Sequence, residues 1–186
     1  MPGSARSATL PTPRGRRPAP VAVASRPLSE AVVRLVERSI DIDASPEAVW
    51  KVLIDLVRYP EWNPFLSRID GPLTPGARLS VDFGRSGSRK VTMRPRVLVV
   101  SPDRELRWLG KLGIGGLFNG EHAFRIESAS PSTVRFVQSE RFTGLLVPLL
   151  GGVIRQAASG FEEMNSALKR RVETVGLVAG AAPLTN

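Results

Sequence analysis

The sequence predicts an α+β domain in which an antiparallel sheet of about seven strands curls around one long C-terminal helix. Three features of the chain predict it. Apolar residues recur with a period of two from Phe65 to Phe142, interrupted by Gly- and Pro-rich breakers. From Leu150 to Val172 the spacing changes to three and four over more than twenty residues. Ahead of both stands a well-marked helix start, "ASPEAVW".

The chain of 186 residues has the length of one domain with a single good core. Its formal net charge of +9 is unevenly placed. Residues 1–29 hold five arginines and no acid, so the remainder carries 21 basic and 17 acidic residues, a net of +4. That first segment has six prolines and no aromatic residue, and it cannot bury enough apolar surface to offset the entropy of ordering. It reads as a disordered basic tail. Its Arg and Ser content is that of a transit peptide, but the prolines break any amphipathic helix, so a targeting role stays open. With no cysteine, disulfides, thiolate catalysis and most structural zinc sites are excluded, and a reducing, cytoplasmic setting fits. One histidine, His122, is too few for metal chemistry, and no cofactor is expected. The longest apolar run, "LLVPLLGGVI" at 145–154, is about half of a membrane span, so the expectation is a soluble protein without stable membrane insertion.

Leu35 to Asp43 alternates at its end, with Ile40 and Ile42 on one side, and predicts the first strand. Ser45 then suits a helix N-cap, Pro46 the first helical position and Glu47 the positive helix end. Val49, Trp50, Leu53, Leu56 and Val57 form one apolar stripe, and the prolines of "RYPEWNP" allow at most one further turn. Six strands follow, separated by "DGPLTPG", "GRSGS", "SPD", "GIGGLFNG" and "SASPS". A turn centred at Ser130 sets Phe124 opposite Phe136 and His122 opposite Gln138. The turn at Pro102 and Asp103 pairs Val97 with Trp108, and the Gly-rich connection brings Trp108 opposite His122. One face of the last four strands therefore reads Met93, Val97, Val99, Leu106, Trp108, His122, Phe124, Ile126, Val134, Phe136, Gln138, Glu140 and Phe142. The last helix presents Leu150, Val153, Ile154, Ala157, Phe161, Met164, Leu168 and Val172, and its cationic end "LKRRVE" complements the helix dipole. Residues 176–186 are expected to fray.

The segment "IDIDASPEAVWKVLIDLVRYPEWNPF", the strand succession and "FVQSERFTGLLVPLL" before the last helix resemble the SRPBCC superfamily of START, polyketide cyclase/dehydrase and birch-pollen-allergen-like domains. The resemblance spans residues 34–175, and Ser45-Pro46, Trp50, Asp55, Tyr59-Pro60, Trp62 and Pro64 carry its most specific part. It implies a helix-grip fold whose sheet and long helix enclose a hydrophobic pocket. It implies no catalytic set, because the superfamily has no shared one.

The candidate site starts from "VRFVQSERF", where the apolar face of a strand also carries Gln138 and Glu140. An enclosed carboxylate without a partner is costly, so an inward Glu140 calls for a cavity or a partner. With His122 these two make a polar patch on an apolar face, which suits a cavity whose few polar groups orient a ligand. Two alternatives stay open: a satisfied buried network that only holds the sheet, and a bulge near Ser139 that sends Glu140 to solvent. The expected ligand-binding residues are Trp108, His122, Phe124, Phe136, Gln138 and Glu140, with Leu117, Phe118, Leu149, Ile154 and Phe161 around the opening and on the helix. His122 and Glu140 are the weak catalytic candidates. Trp50 and Trp62 read as packing residues. Leu117, Phe118, Leu145, Leu146 and Leu149, beside mobile glycines, read as lids or as a lip that meets membrane or a partner.

The outward face carries Arg94, Arg96, Arg107, Lys111, Arg125, Arg135 and Arg141 against Glu105, Glu121 and Glu127. Without interleaved aromatics this is a solvated surface, and no nucleic-acid partner is expected. The leading function is binding of a small hydrophobic molecule (lipid, polyketide or aromatic) between sheet and helix. The alternatives are an enzyme of the cyclase/dehydrase kind acting on such a molecule, and an adaptor whose apolar lip contacts membrane or protein. Ligand identity and oligomeric state are not legible at this level.

Overall fold

The computed structural model describes residues 33–84, 91–112, 117–130 and 132–180. The basic tail of residues 1–29, the glycines at 113, 115 and 116, and the end of the chain after residue 180 lie outside the described residues. The described elements are β1 (Val33–Ile42), α1 (Pro46–Ile54), α2 (Tyr59–Trp62), β2 (Leu66–Asp70), β3 (Ser80–Phe83), β4 (Val91–Met93), β5 (Arg96–Ser101), β6 (Glu105–Leu112), β7 (Phe118–Ser130), β8 (Thr133–Thr143) and α3 (Gly151–Gly180). The strands form two antiparallel sheets, one ordered β1-β8-β7-β6-β5 and a smaller one ordered β2-β3-β4.

Seven strands among the described residues, not six, therefore follow the first helical region. The extra division falls at Arg94-Pro95, where a proline without an N–H interrupts what alternation alone reads as one strand. The two sheets stay joined across it. Leu79 N–H donates to the Pro95 carbonyl at 2.9 Å, and Val97 N–H donates to that of Ala77 at 2.8 Å.

Local chemistry starts each element as expected. The Ser45 hydroxyl accepts from Ala48 N–H at 3.3 Å and caps α1. α2 is the single further turn that the two prolines permit. The buried Tyr59 hydroxyl donates to the Leu53 carbonyl at 2.8 Å, and burial pushes its pKa far up, so the phenol stays neutral. Asn63 Oδ1 accepts from the N–H groups of Phe65 and Leu66 and turns the chain into β2. Trp50 is buried in the main core, and Trp62 is half-buried with its ring 4.9 Å from that of Tyr59. Both tryptophans pack.

α3 runs along β1. Lys169 donates to the Asp41 carbonyl and to Glu173, Glu173 accepts from Asp43 N–H, and Asn165 Nδ2 donates to the Arg38 carbonyl. The hydrogen bond with Lys169 lowers the Glu173 pKa, and the same bond raises that of Lys169. Of the expected apolar stripe, Phe161, Met164 and Leu168 are fully buried, whereas Val153 is 46% exposed. Val153 lies about 100° around the helix from its neighbours Gly152 and Ile154, and only the Ile154 side of this turn packs inward.

The sheet register matches expectation for Val97 with Trp108 and for Trp108 with His122. Across β7 and β8 it differs by two residues: Phe124 faces Gln138, and His122 faces Glu140. The cause is an irregularity between Ser128 and Ser130 that moves the turn. A shift of two keeps every side chain on its face. In β5 the register slips between Val97 and Val99, so Val99 pairs with Arg107 while Val100 pairs with Leu106 and packs against the core. Val99 is thus not an inward residue, because the bulge reverses the alternation after Val97.

One close approach locks α3 to the smaller sheet. The Phe65 ring lies over Gly160, where a Cβ would meet Phe65 ring carbons at 2.2–2.7 Å. That ring is wedged edge-on between Phe83 at 5.8 Å and Phe161 at 5.9 Å. Gly160→Ala should gain up to about 1 kcal/mol of helix propensity, but it must displace a wedged ring at a cost of roughly 1–3 kcal/mol. The expected result is a net loss of about 1 kcal/mol, read as a Tm drop of roughly 2–4 °C. A rise in Tm would show that Phe65 yields freely.

Candidate functional site

The concave face of the five-stranded sheet carries the expected patch, because the β8 ladder has no bulge at Ser139. Glu140 pairs continuously with His122 on one side and with Val36 on the other, and all three face α3. Around His122 the face is aromatic. Its ring stacks on Trp108 with centroids 5.3 Å apart and 15° between planes, tilts against Phe124 at 4.5 Å, and meets Phe161 of α3 edge-on at 5.0 Å. Phe124 lies 6.0 Å from Phe136, a diagonal stack that the two-residue shift preserves.

The polar groups run in one line through this apolar wall. Gln138 Nε2 lies 3.1 Å from His122 Nε2 and 3.5 Å from Met164 Sδ. With the amide so oriented, His122 Nε2 accepts, which leaves the ring proton on Nδ1. Nδ1 faces Glu140 Oε2 at 3.5 Å. Gln138 Oε1 is buried and has no partner among the described residues. A buried carbonyl in that state is expensive unless a donor reaches it.

Glu140 differs from its neighbours. His122 and Phe142 are each 2% exposed, but the Glu140 side chain keeps 18% of its surface open while pointing to the concave side. The reason lies in the next row of the sheet, where Gly110 pairs with Gly120 and Gly120 with Phe142. Two adjacent inward positions have no side chain. The Glu140 carboxylate lies over Gly120, occupying the space that a Cβ there would need, and the Met93 methyl does the same at Gly110. Gly110 and Gly120 are the residues that alternation misses, because a glycine registers as a breaker and not as a deliberate gap on an inward face.

The remaining expected residues occupy a second cluster. Phe118 is buried and stacks on Phe142 at 5.4 Å, Ile154 packs partly buried against the same group, and Phe161 closes it from α3. Half-buried Leu117 accepts a backbone hydrogen bond from Leu146 at 3.0 Å. Leu149 stands apart from all of these, 80% exposed. A surface recess of about 840 Å³ lies far from this patch, between the start of α1 and the β5–β6 turn, and its polar lining includes none of the expected site residues. Among the described residues no three His, Cys, Asp or Glu side chains come together as a metal site.

On the convex face three of the arginines are paired with acids. Arg107 pairs with Glu105 and Glu121, Arg125 with Glu37 and Glu127, and Arg135 with Asp41. Val137 and Ser139, on the same face, are buried.

Residues 34–173 match the family described as polyketide cyclase / dehydrase and lipid transport. The chain belongs to this family, within the START and birch-pollen-allergen-like superfamily. A search of curated proteins gives no match. Among solved structures, the Zhui aromatase/cyclase of a Streptomyces species is 17% identical, with a TM-score of 0.65 over 81% of this chain and 100% of its own. A START superfamily protein from Mycobacterium smegmatis is 21% identical, with a TM-score of 0.59 over 76% and 98%. Norcoclaurine synthase from Thalictrum flavum, as a point mutant with a transition-state analogue, is 11% identical, with a TM-score of 0.62 over 80% and 99%. At such identities the likeness is one of fold: this family member shares with them a curved sheet gripping a long helix.

Proposed function

We propose that the chain binds a small hydrophobic molecule, a lipid, polyketide or aromatic, on the concave face of the five-stranded sheet, over the Gly110–Gly120 row that the Met93 methyl and the Glu140 carboxylate cover, with Glu140 as its polar end. The observation that carries this reading is the open 18% of Glu140, a carboxylate in an inward register that solvent still reaches between two closed neighbours. Such a combination suits a ligand site of apolar walls and few convergent polar groups. The buried Gln138 carbonyl, without a partner among the described residues, supplies a further acceptor for a bound water. The family description covers both lipid transport and cyclase/dehydrase chemistry and leaves the choice to the site.

A second reading is favoured by the His122 Nδ1 to Glu140 Oε2 contact at 3.5 Å: a cyclase/dehydrase-type enzyme in which the pair moves protons on a bound polyketide-like substrate. Native mass spectrometry of freshly purified protein, with identification of any retained molecule, addresses the ligand. An environment-sensitive apolar dye should bind near one per chain, shift tryptophan emission, and be displaced by fatty acids or aromatic polyketides. Gly120→Ala should reduce dye affinity by about tenfold while altering Tm little, since the added methyl displaces only a carboxylate end into the proposed site. Unchanged affinity in this variant would place the ligand elsewhere. Turnover of an aromatic polyketide by the parent but not by Glu140→Gln would select the enzyme.

A further inference from the structure

We propose that the end of the fold at the β8–α3 connection docks on the surface of an anionic lipid bilayer. At that end one row of the sheet, Lys111, Asn119, Thr143 and Val33, runs across β6, β7, β8 and β1, and the chain leaves it at Gly144. Beyond the row Leu145 is 63% exposed, Leu149 80% and Val153 46%, and at the start of the edge strand Val33 and Leu35 are 46% and 64% exposed. These side chains are held outward by structure. Leu146 N–H is bound to the Leu117 carbonyl, Val147 is buried, and a single 3-10 turn over Val147–Leu149 sets Leu145 and Leu149 on the outer side. A cluster of exposed leucines on a fixed turn is an interaction surface.

The charge around it selects the partner. Arg34, Lys111, Arg141 and Arg155 are exposed at this end, and none makes an ion pair or side-chain hydrogen bond with a described residue. The Arg155 guanidinium folds back toward Gly151, 3.6 Å from where a Cβ would stand. The acids nearby are engaged, Glu121 with Arg107 and Glu140 on the concave side. Farther along the sheet and α3 several cations are paired, as in Arg38 with Glu162, Arg135 with Asp41 and Lys169 with Glu173, whereas Arg96 and Arg170 stand alone there among the described residues without exposed leucines beside them. Uncompensated cations ringing protruding leucines match an anionic interface, with apolar side chains entering between headgroups. A second copy of the chain is disfavoured, because a two-fold contact would set the same four cations against each other. No helix among the described residues is long and apolar enough to cross a membrane, so the contact is peripheral.

The test is cosedimentation of the full chain with phosphatidylcholine vesicles containing about a third phosphatidylglycerol, and with pure phosphatidylcholine. The parent should sediment with the anionic vesicles alone, and less as salt rises. Leu145→Ser/Leu149→Ser and Arg141→Gln/Arg155→Gln should each weaken that partition by about tenfold or more. These residues are exposed, and unchanged melting curves would confirm that both variants fold. Both variants keep the five arginines of residues 1–29, so undiminished binding would assign the attachment to the tail and overturn the proposal. Absence of parent binding would overturn it too, as would a parent dimer in sedimentation equilibrium that the leucine variant abolishes.

Discussion

Phe161→Ala should destabilise the protein by about 3–5 kcal/mol, among the largest single losses available in this fold. Phe161 is wholly buried and stands where the two apolar clusters meet: its ring contacts His122 edge-on at 5.0 Å and Phe65 at 5.9 Å, and Phe65 packs against both clusters. Truncation removes the transfer free energy of the ring and two edge-to-face pairs, each worth about 0.5–1.5 kcal/mol. The cavity left behind is framed by a strand histidine and a helix, neither free to collapse. Against a total stability of roughly 5–15 kcal/mol, a Tm drop of about 10 °C or more is expected. Phe161→Leu, nearer in volume, should lose less than half as much. A urea titration giving a loss below about 1 kcal/mol for the alanine variant would mean that helix and sheet are not gripped through this ring.

Much of this arrangement is legible in the sequence because its signals are local and periodic. Ser45, Pro46 and Glu47 announce α1 through capping and dipole chemistry alone, and the long stripe ending at Val172 could only be a helix. The inward set of Trp108, His122, Gln138 and Glu140 follows from parity, and parity survives the two-residue shift between β7 and β8. What escapes depends on contacts distant in sequence. The break at Pro95 and the slip after Val97 lie where the 76–79 segment pairs with residues 95–97, a partner that alternation within one strand cannot show. Gly110 and Gly120 become a gap only when their strands lie side by side. Leu149 and Val153 carry the same apolar signal as Leu150 and Ile154, and only the placement of the turn before α3 decides which pair faces out.

The second large effect is expected at His122. His122→Ala should cost about 2–4 kcal/mol, since it removes a ring packed against Trp108, Phe124 and Phe161 and takes from Gln138 the stronger of its two acceptors. His122→Phe separates the two causes. It keeps the aromatic packing but leaves the Gln138 amide only the weak Met164 Sδ acceptor, so a loss of about 1–3 kcal/mol is expected from the polar contact alone. Glu140→Gln should behave differently. Its carboxylate is partly open to solvent and its contact with His122 is long, so stability should stay within about 0.5 kcal/mol while affinity for the apolar probe changes. Denaturant titrations of the three variants, with dye titrations beside them, read both quantities. A site in which Glu140 is a wet ligand contact and His122 a dry support predicts this split, with folding sensitive at 122 and binding at 140. If Glu140→Gln instead lost as much stability as His122→Ala, the line from Gln138 to Glu140 would be one closed structural network, and the ligand reading of the concave face would have no polar anchor left.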